Sequence, residues 1–211
     1  MLTKTIQNIH FIEIQDDISG AHYYGCDQEW YPSKLQRMAG CGPTAFSTIL
    51  QYLYASRRDA IQYPLTKSAC VEVMRAVWKF ITSGPWGVNT IEKLHKGAMA
   101  FAQANALSLS AQLFNIPHAK SKRPTLSQAL TFLDTELAQD RPIAFLNLHN
   151  GEEKSLDSWH WVVITSVEYD PNTLAAHIGI VDEGKQKTLD FSLWYQTTAR
   201  GGGLISFDMI D

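Results

Sequence analysis

Cys41-Gly42-Pro43-Thr44, running straight into Ala45-Phe46-Ser47-Thr48-Ile49-Leu50, constrains this chain more than any other stretch. It reads as a cysteine on the first turn of a buried helix. Gly42 allows a tight backbone turn, and Pro43 suits an early helical position because its missing N–H would have had no helical partner. Phe46, Ile49, Leu50 and Leu53 follow at spacings of three and four, so one face of a helix running to about Ser56 is apolar and should bury. A thiol at a helix N-terminus feels the positive end of the dipole and unpaired N–H groups. Both favour the thiolate, the form that attacks carbonyls. A small buried hydrophobe that happens to follow a glycine would leave the same pattern, so the cysteine needs partners before it means chemistry.

A chain of 211 residues can bury a real core and is most simply one domain. The net charge of −3, with scattered basic residues, gives no reason to expect nucleic acid. Three cysteines, Cys26, Cys41 and Cys70, are an odd number without a CxxC, so neither a structural zinc site nor a disulfide framework is expected. The opening Met1-Leu2-Thr3-Lys4-Thr5-Ile6-Gln7-Asn8 lacks the apolar run of a signal peptide, and no stretch approaches the length needed to cross a bilayer. These features point to a cytoplasmic protein with reduced thiols, no metal, no cofactor and no membrane partner.

Along the chain, Ile9 to Gln15 reads as a strand, and Ser19 to Gly40 as an irregular loop holding Tyr23, Tyr24, Trp30 and Tyr31. Further helices are expected at Thr66 to Thr82, at roughly Thr90 to Ala106, and from the capping box Thr125-Leu126-Ser127-Gln128 to about Asp140. Ser83-Gly84-Pro85-Trp86-Gly87 breaks the first of these. A short strand falls at Leu109 to Ile116. From Pro142 onward the runs Pro142 to Leu148, Trp161 to Glu168, Ala175 to Val181 and Leu204 to Ile210 read as antiparallel strands. Gly201-Gly202-Gly203 reads as a flexible turn before the last. Helices first and strands afterwards predict an α+β fold, 1–140 mainly a helical lobe and 141–211 mainly a sheet lobe.

A nucleophilic cysteine requires a base, and seven histidines are present. His160 stands at the start of Trp161-Val162-Val163-Ile164, at a loop-to-strand edge where a cleft would open; His149, ending another strand, is the alternative. An imidazole beside a thiol accepts its proton to give a thiolate–imidazolium pair. Asp182 closes the strand Ile178-Gly179-Ile180-Val181. Two adjacent strands joined through Asp170-Pro171-Asn172 would set the start of one beside the end of the next, and so His160 beside Asp182. Acyl chemistry also needs an oxyanion donor. The Cys41 N–H is one, and Gln28 or Gln36 upstream would supply the other.

The order Gln28-x-Trp30, Gly40-Cys41-Gly42-Pro43-Thr44-Ala45, His160-Trp161-Val162-Val163 and Val181-Asp182 resembles the papain-like cysteine peptidases. In particular it resembles their bacterial C39-like branch, with a GCGPT-type nucleophile motif, an HWVV-type histidine strand and a VxD-type third residue. The resemblance implies a papain-like fold with Cys41 as nucleophile, His160 as general base and acid, Asp182 as the orienting residue and Gln28 as oxyanion donor. Gln36 has the spacing nearer to that of papain itself. Trp30 and Trp161 are the expected substrate-binding aromatics. Asp182 is followed by Glu183-Gly184 where family members often show Asp-Pro, and the insert from about Arg57 to Ala106 exceeds what a minimal peptidase of this type needs. The branch's leader peptidases are fused to transporters; with neither a membrane segment nor a P-loop, this chain is not expected to be such an exporter. The expected activity is hydrolysis of a peptide or amide bond through a thioester. The same machinery also supports acyl transfer and deamidation, and the aromatic loop alone would suit a non-catalytic peptide-binding module.

Overall fold

A computed structural model describes residues 1–57, 64–82 and 87–210. Its centre is helix α2 (Cys41–Arg57), preceded by a short α1 (Lys34–Ala39). Phe46, Ile49, Leu50 and Leu53 are buried as their spacing predicts, but so are Ser47, Thr48, Gln51 and Tyr52 on the other faces. The helix is therefore enclosed all round, and its polar side chains are satisfied locally. Ser47 Oγ donates to the Pro43 carbonyl at 2.7 Å, and Thr48 Oγ1 to the Thr44 carbonyl at 3.2 Å.

One side of α2 lies on a seven-stranded sheet. Its strands are β1 (Leu2–Thr5), β5 (Leu109–Ile116), β6 (Ile143–Asn147), β7 (His160–Tyr169), β8 (Ala176–Asp182), β9 (Lys185–Asp190) and β10 (Gly202–Met209). The order is β5-β10-β6-β7-β8-β9, with β1 on the far half of β7, and every pairing is antiparallel. Helix α3 (Lys67–Trp78) packs on α2, and α4 (Ile91–Ala104) packs on both α2 and strands β5 and β10. Phe46 ties the layers together, 6.0 Å from the Phe101 ring of α4 and 5.0 Å from Phe207 of β10. Helices α5 (Leu126–Ala138), with both halves of its capping box formed, and α6 (Phe191–Thr197) complete the chain. Strands β1 and β5 belong to the sheet although they precede residue 140.

A three-stranded sheet, β3 (His22–Tyr24), β2 (Glu13–Gln15) and β4 (Leu65–Thr66), sits beside a second apolar cluster of Ile14, Cys26, Tyr31, Cys70 and Met74. Here the structure departs from two expectations. Cys26 and Cys70 are paired as a disulfide, Cα atoms 6.7 Å apart across a separation of 44 residues. The odd cysteine count hid a pair that only the tertiary fold brings together, and it removes the ground on which the thiols pointed to a reducing compartment. The run Ile9 to Ile12 is a 3₁₀ turn, not a strand, because the Asn8 side chain accepts from the His10 N–H at 3.1 Å and curls the backbone.

The glycine run before the last strand is also not a flexible turn. Gly202 and Gly203 lie within β10, and a Cβ on Gly202 would run into the Leu146 carbonyl oxygen. Of the expected helix break after α3, residues 83–86 fall outside the described residues. Among the described residues, no helix is long and apolar enough to cross a membrane.

Candidate active site

Cys41 is the first residue of α2, half-buried and unpaired. The Thr44 N–H donates to the Gly40 carbonyl at 2.9 Å, which fixes the first helical turn around the sulfur-bearing residue. Gly42 is there for close approach: a Cβ would meet Val88 at 3.0 Å and the Trp161 ring at 3.4 Å. Helix start and strand β7 thus come together side by side.

A small cavity opens at this junction, lined by Cys41, Thr44, Gln28, His160, Trp161 and Asp182 among others. His160 begins β7 and Asp182 ends β8, and the antiparallel register, Val163 opposite Val181, sets the two at the same edge. His160 Nε2 lies 2.7 Å from Asp182 Oδ1. Cys41 faces the same imidazole across the cavity and, with Asp182, favours its protonated form. The side chains of His160 and Asp182 are 13% and 9% exposed, so the pair operates largely out of water.

Burial alone would push the His160 imidazole down, but the bonds to Asp182 and Cys41 outweigh it and raise the group to about 10. Burial would likewise raise Asp182, yet its bonds to His160 and Lys187 hold the carboxyl below the usual carboxylate range. Lys187 of β9 places Nζ 2.7 Å from Asp182 Oδ2. Both sides favour an imidazolium facing a carboxylate. Asp27, next to Gln28 in the chain, is pushed up first by burial and then by the negative charges of Glu183, Glu29 and Asp182.

The two upstream glutamines are placed differently. Gln28, in a 3₁₀ turn Gln28–Trp30, lines the cavity; its Nε2 donates to the Arg37 carbonyl at 3.0 Å. Its Oε1 is buried with no partner among the described residues. Gln36 lies on α1 and does not line the cavity; its Oε1 accepts from Ser33 Oγ at 2.9 Å.

Of the two tryptophans expected to touch substrate, Trp30 lies away from the cavity. Its ring covers the second apolar cluster, 5.1 Å from the Tyr23 ring and beneath the Lys67 ammonium at 5.2 Å. Tyr23 in turn packs on Gly184, and the Tyr24 N–H donates to the Gly184 carbonyl at 2.8 Å. Trp30 therefore supports the hairpin that carries Asp182. Trp161 does line the cavity, but it is 2% exposed and its Nε1 donates to the Val88 carbonyl at 2.5 Å, so it forms a packed wall. His149 is held by structural bonds: Nδ1 accepts from the Gly151 N–H at 3.0 Å, and its carbonyl accepts from Thr198 Oγ1 at 2.6 Å.

Two residues near the site escaped the sequence reading. Lys187 was hidden because strand β9, polar and alternating, gave no apolar run, although the Glu183-Gly184 turn pointed to a hairpin. Trp159, directly before His160, is 47% exposed at φ 60° with the Arg200 guanidinium 5.1 Å above its ring. Among the described residues no group of three His, Cys, Asp or Glu side chains could hold a metal ion.

No family model matches the chain, and no curated protein matches it. Among solved structures, the crystal structure of UfSP from C. elegans matches with a TM-score of 0.55 at 10% identity, over 100% of this chain and 35% of that one. The chain thus spans about a third of the length of the solved protein it is similar to. That likeness, with the helix-on-antiparallel-sheet arrangement, makes the fold α+β and papain-like.

Proposed function

We propose that this chain is a cysteine-dependent hydrolase of peptide or amide bonds, of the papain-like kind and closest in its motifs to the C39-like branch. The observation that carries the reading is one cavity lined by Cys41, His160 and Asp182, with the His160 imidazole hydrogen-bonded to the Asp182 carboxylate. The fold is shared with UfSP.

In this reading Cys41 Sγ, as thiolate, bonds to the carbonyl carbon and the carbonyl oxygen takes the negative charge. The Cys41 N–H and the second amide hydrogen of Gln28, the first being given to Arg37, hold that oxyanion. His160 passes its proton to the leaving nitrogen, the C–N bond breaks and a thioester remains. Water then attacks with His160 as base, releasing the acid and restoring the thiolate. Asp182 keeps the imidazole oriented and its charge balanced throughout.

Iodoacetamide labelling at neutral pH tests the first step, and cleavage of a mixed peptide library tests the rest. Cys41 is expected to label faster than a small-molecule thiol, His160→Ala to remove that advantage, and Cys41→Ala to abolish cleavage. Labelling no faster than the small thiol and indifferent to His160→Ala overturns the reading. Mass analysis of products in the presence of amines separates hydrolysis from acyl transfer.

A further inference from the structure

We propose that Lys187 is a positioning residue of this site: by pinning the second oxygen of Asp182, it fixes the carboxylate against His160 and tempers its hold on the imidazolium. The proposal rests on the hydrolase reading for its catalytic consequence.

Each oxygen of the Asp182 carboxylate has its own partner. Oδ1 meets His160 Nε2 at 2.7 Å, and Oδ2 meets Lys187 Nζ at 2.7 Å. A carboxylate held at one oxygen alone turns about its Cβ–Cγ bond; held at both, it presents one geometry to the imidazole. Lys187 reaches it because β8 and β9 are joined by a two-residue turn. Glu183 and Gly184 both adopt left-handed backbone, φ 51° and 70°, the pattern of a tight type I′ hairpin. Asp182 then pairs directly with Lys185, which makes Lys187 its diagonal neighbour on the same face of the ribbon. Glu183 Oε2, 3.1 Å from Nζ, holds the ammonium from the other side.

The charges around this carboxylate come from several elements. His160 of β7 faces Oδ1, with Cys41 of α2 beyond it; Lys187 of β9 faces Oδ2; Glu183 of the turn and Asp27 of the loop before the Gln28–Trp30 turn lie alongside. Asp182 and Cys41 favour keeping the proton on His160. Lys187 opposes them. A general acid must surrender its proton to the leaving amine, so a cation shared with its carboxylate assists release. Lys187, 30% exposed on its side chain, stays partly solvated and so exerts a tempered effect rather than cancelling the pair.

The test is an NMR pH titration of the His160 ring in wild-type protein and Lys187→Met, paired with steady-state kinetics on a cleaved peptide. Lys187→Met is expected to move the His160 midpoint upward by about half a unit to one unit. It should lower kcat roughly three- to tenfold with KM nearly unchanged, and Lys187→Arg should restore both. Should Lys187→Met fail to fold, Lys187→Gln carries the same titration. An unmoved midpoint overturns the proposal, as does a kcat loss that Lys187→Arg does not restore. A midpoint that moves in a protein whose wild type cleaves nothing leaves the hold of Lys187 on Asp182 standing and sinks the hydrolase reading.

Discussion

Asp182 Oδ1 and His160 Nε2 stand 2.7 Å apart at the open edge of one antiparallel strand pair, nearly out of reach of solvent. The imidazole, raised to about 10 in the folded protein, is protonated at neutral pH. Its folded value exceeds the ordinary one, so its contribution to stability is complete below about pH 6.5 and is lost as pH rises toward 10. Asp182, held below its ordinary value, contributes above about pH 4 and loses that contribution in acid. NMR titration should give an alkaline midpoint for His160. Cys41→Ala should lower it by removing one of its two partners, and Asp182→Asn should lower it further. A His160 that titrates near 6.5 in the wild type contradicts the pairing.

Gln28 and Gln36 should separate in kinetics. Gln28→Ala, at the cavity, is expected to reduce kcat by about 10²- to 10³-fold with little change in KM, the usual cost of losing one oxyanion donor. Gln36→Ala, which only loses a bond to Ser33, should leave kcat within about twofold. The reverse ranking would transfer the role to Gln36.

Trp30→Ala should act on stability before it acts on substrate. Its ring packs on Tyr23, which packs on the Gly184 turn beside Asp182. Truncation of this half-buried aromatic is expected to cost about 2 kcal/mol in chemical denaturation, below the range for a fully enclosed tryptophan. KM should hardly move. A raised KM with unchanged stability would return Trp30 to the substrate.

The Cys26–Cys70 pair predicts that thiol titration of denatured, unreduced protein finds a single free thiol, Cys41. Closing a loop of 44 residues stabilises the fold by as much as ~4 kcal/mol through the unfolded chain. Reduction, or the double variant Cys26→Ser with Cys70→Ser, should therefore lower Tm by several degrees. Three thiols titrating at once would exclude the bond.

Much of the site was legible because its chemistry sits at ends of strongly patterned elements. The apolar spacing after Cys41 marked α2, the run after His160 marked β7, and the Asp170-Pro171-Asn172 turn fixed which ends would meet. Strand β5 falls at the predicted Leu109 to Ile116. What escaped was held by tertiary or purely local bonds. The Asn8 cap turned an alternating segment into a 3₁₀ turn. Edge strand β9, exposed at Lys185 and Gln186, carries no apolar signature. The Cys26–Cys70 partnership has no local spacing to betray it, and Trp30 looked like a binding aromatic because a sequence does not tell which side of a loop a ring covers.

Strand β10 lies between β5 and β6, although it follows both in the chain. During synthesis β5 and β6 both precede the strand that joins them, and Phe46 of α2 precedes its ring partner Phe207. A growing chain therefore holds Cys41, His160 and Asp182 before the sheet beneath them is joined through β10. The sheet's wiring thus ties the closing of the platform under α2 to contacts of long sequence separation.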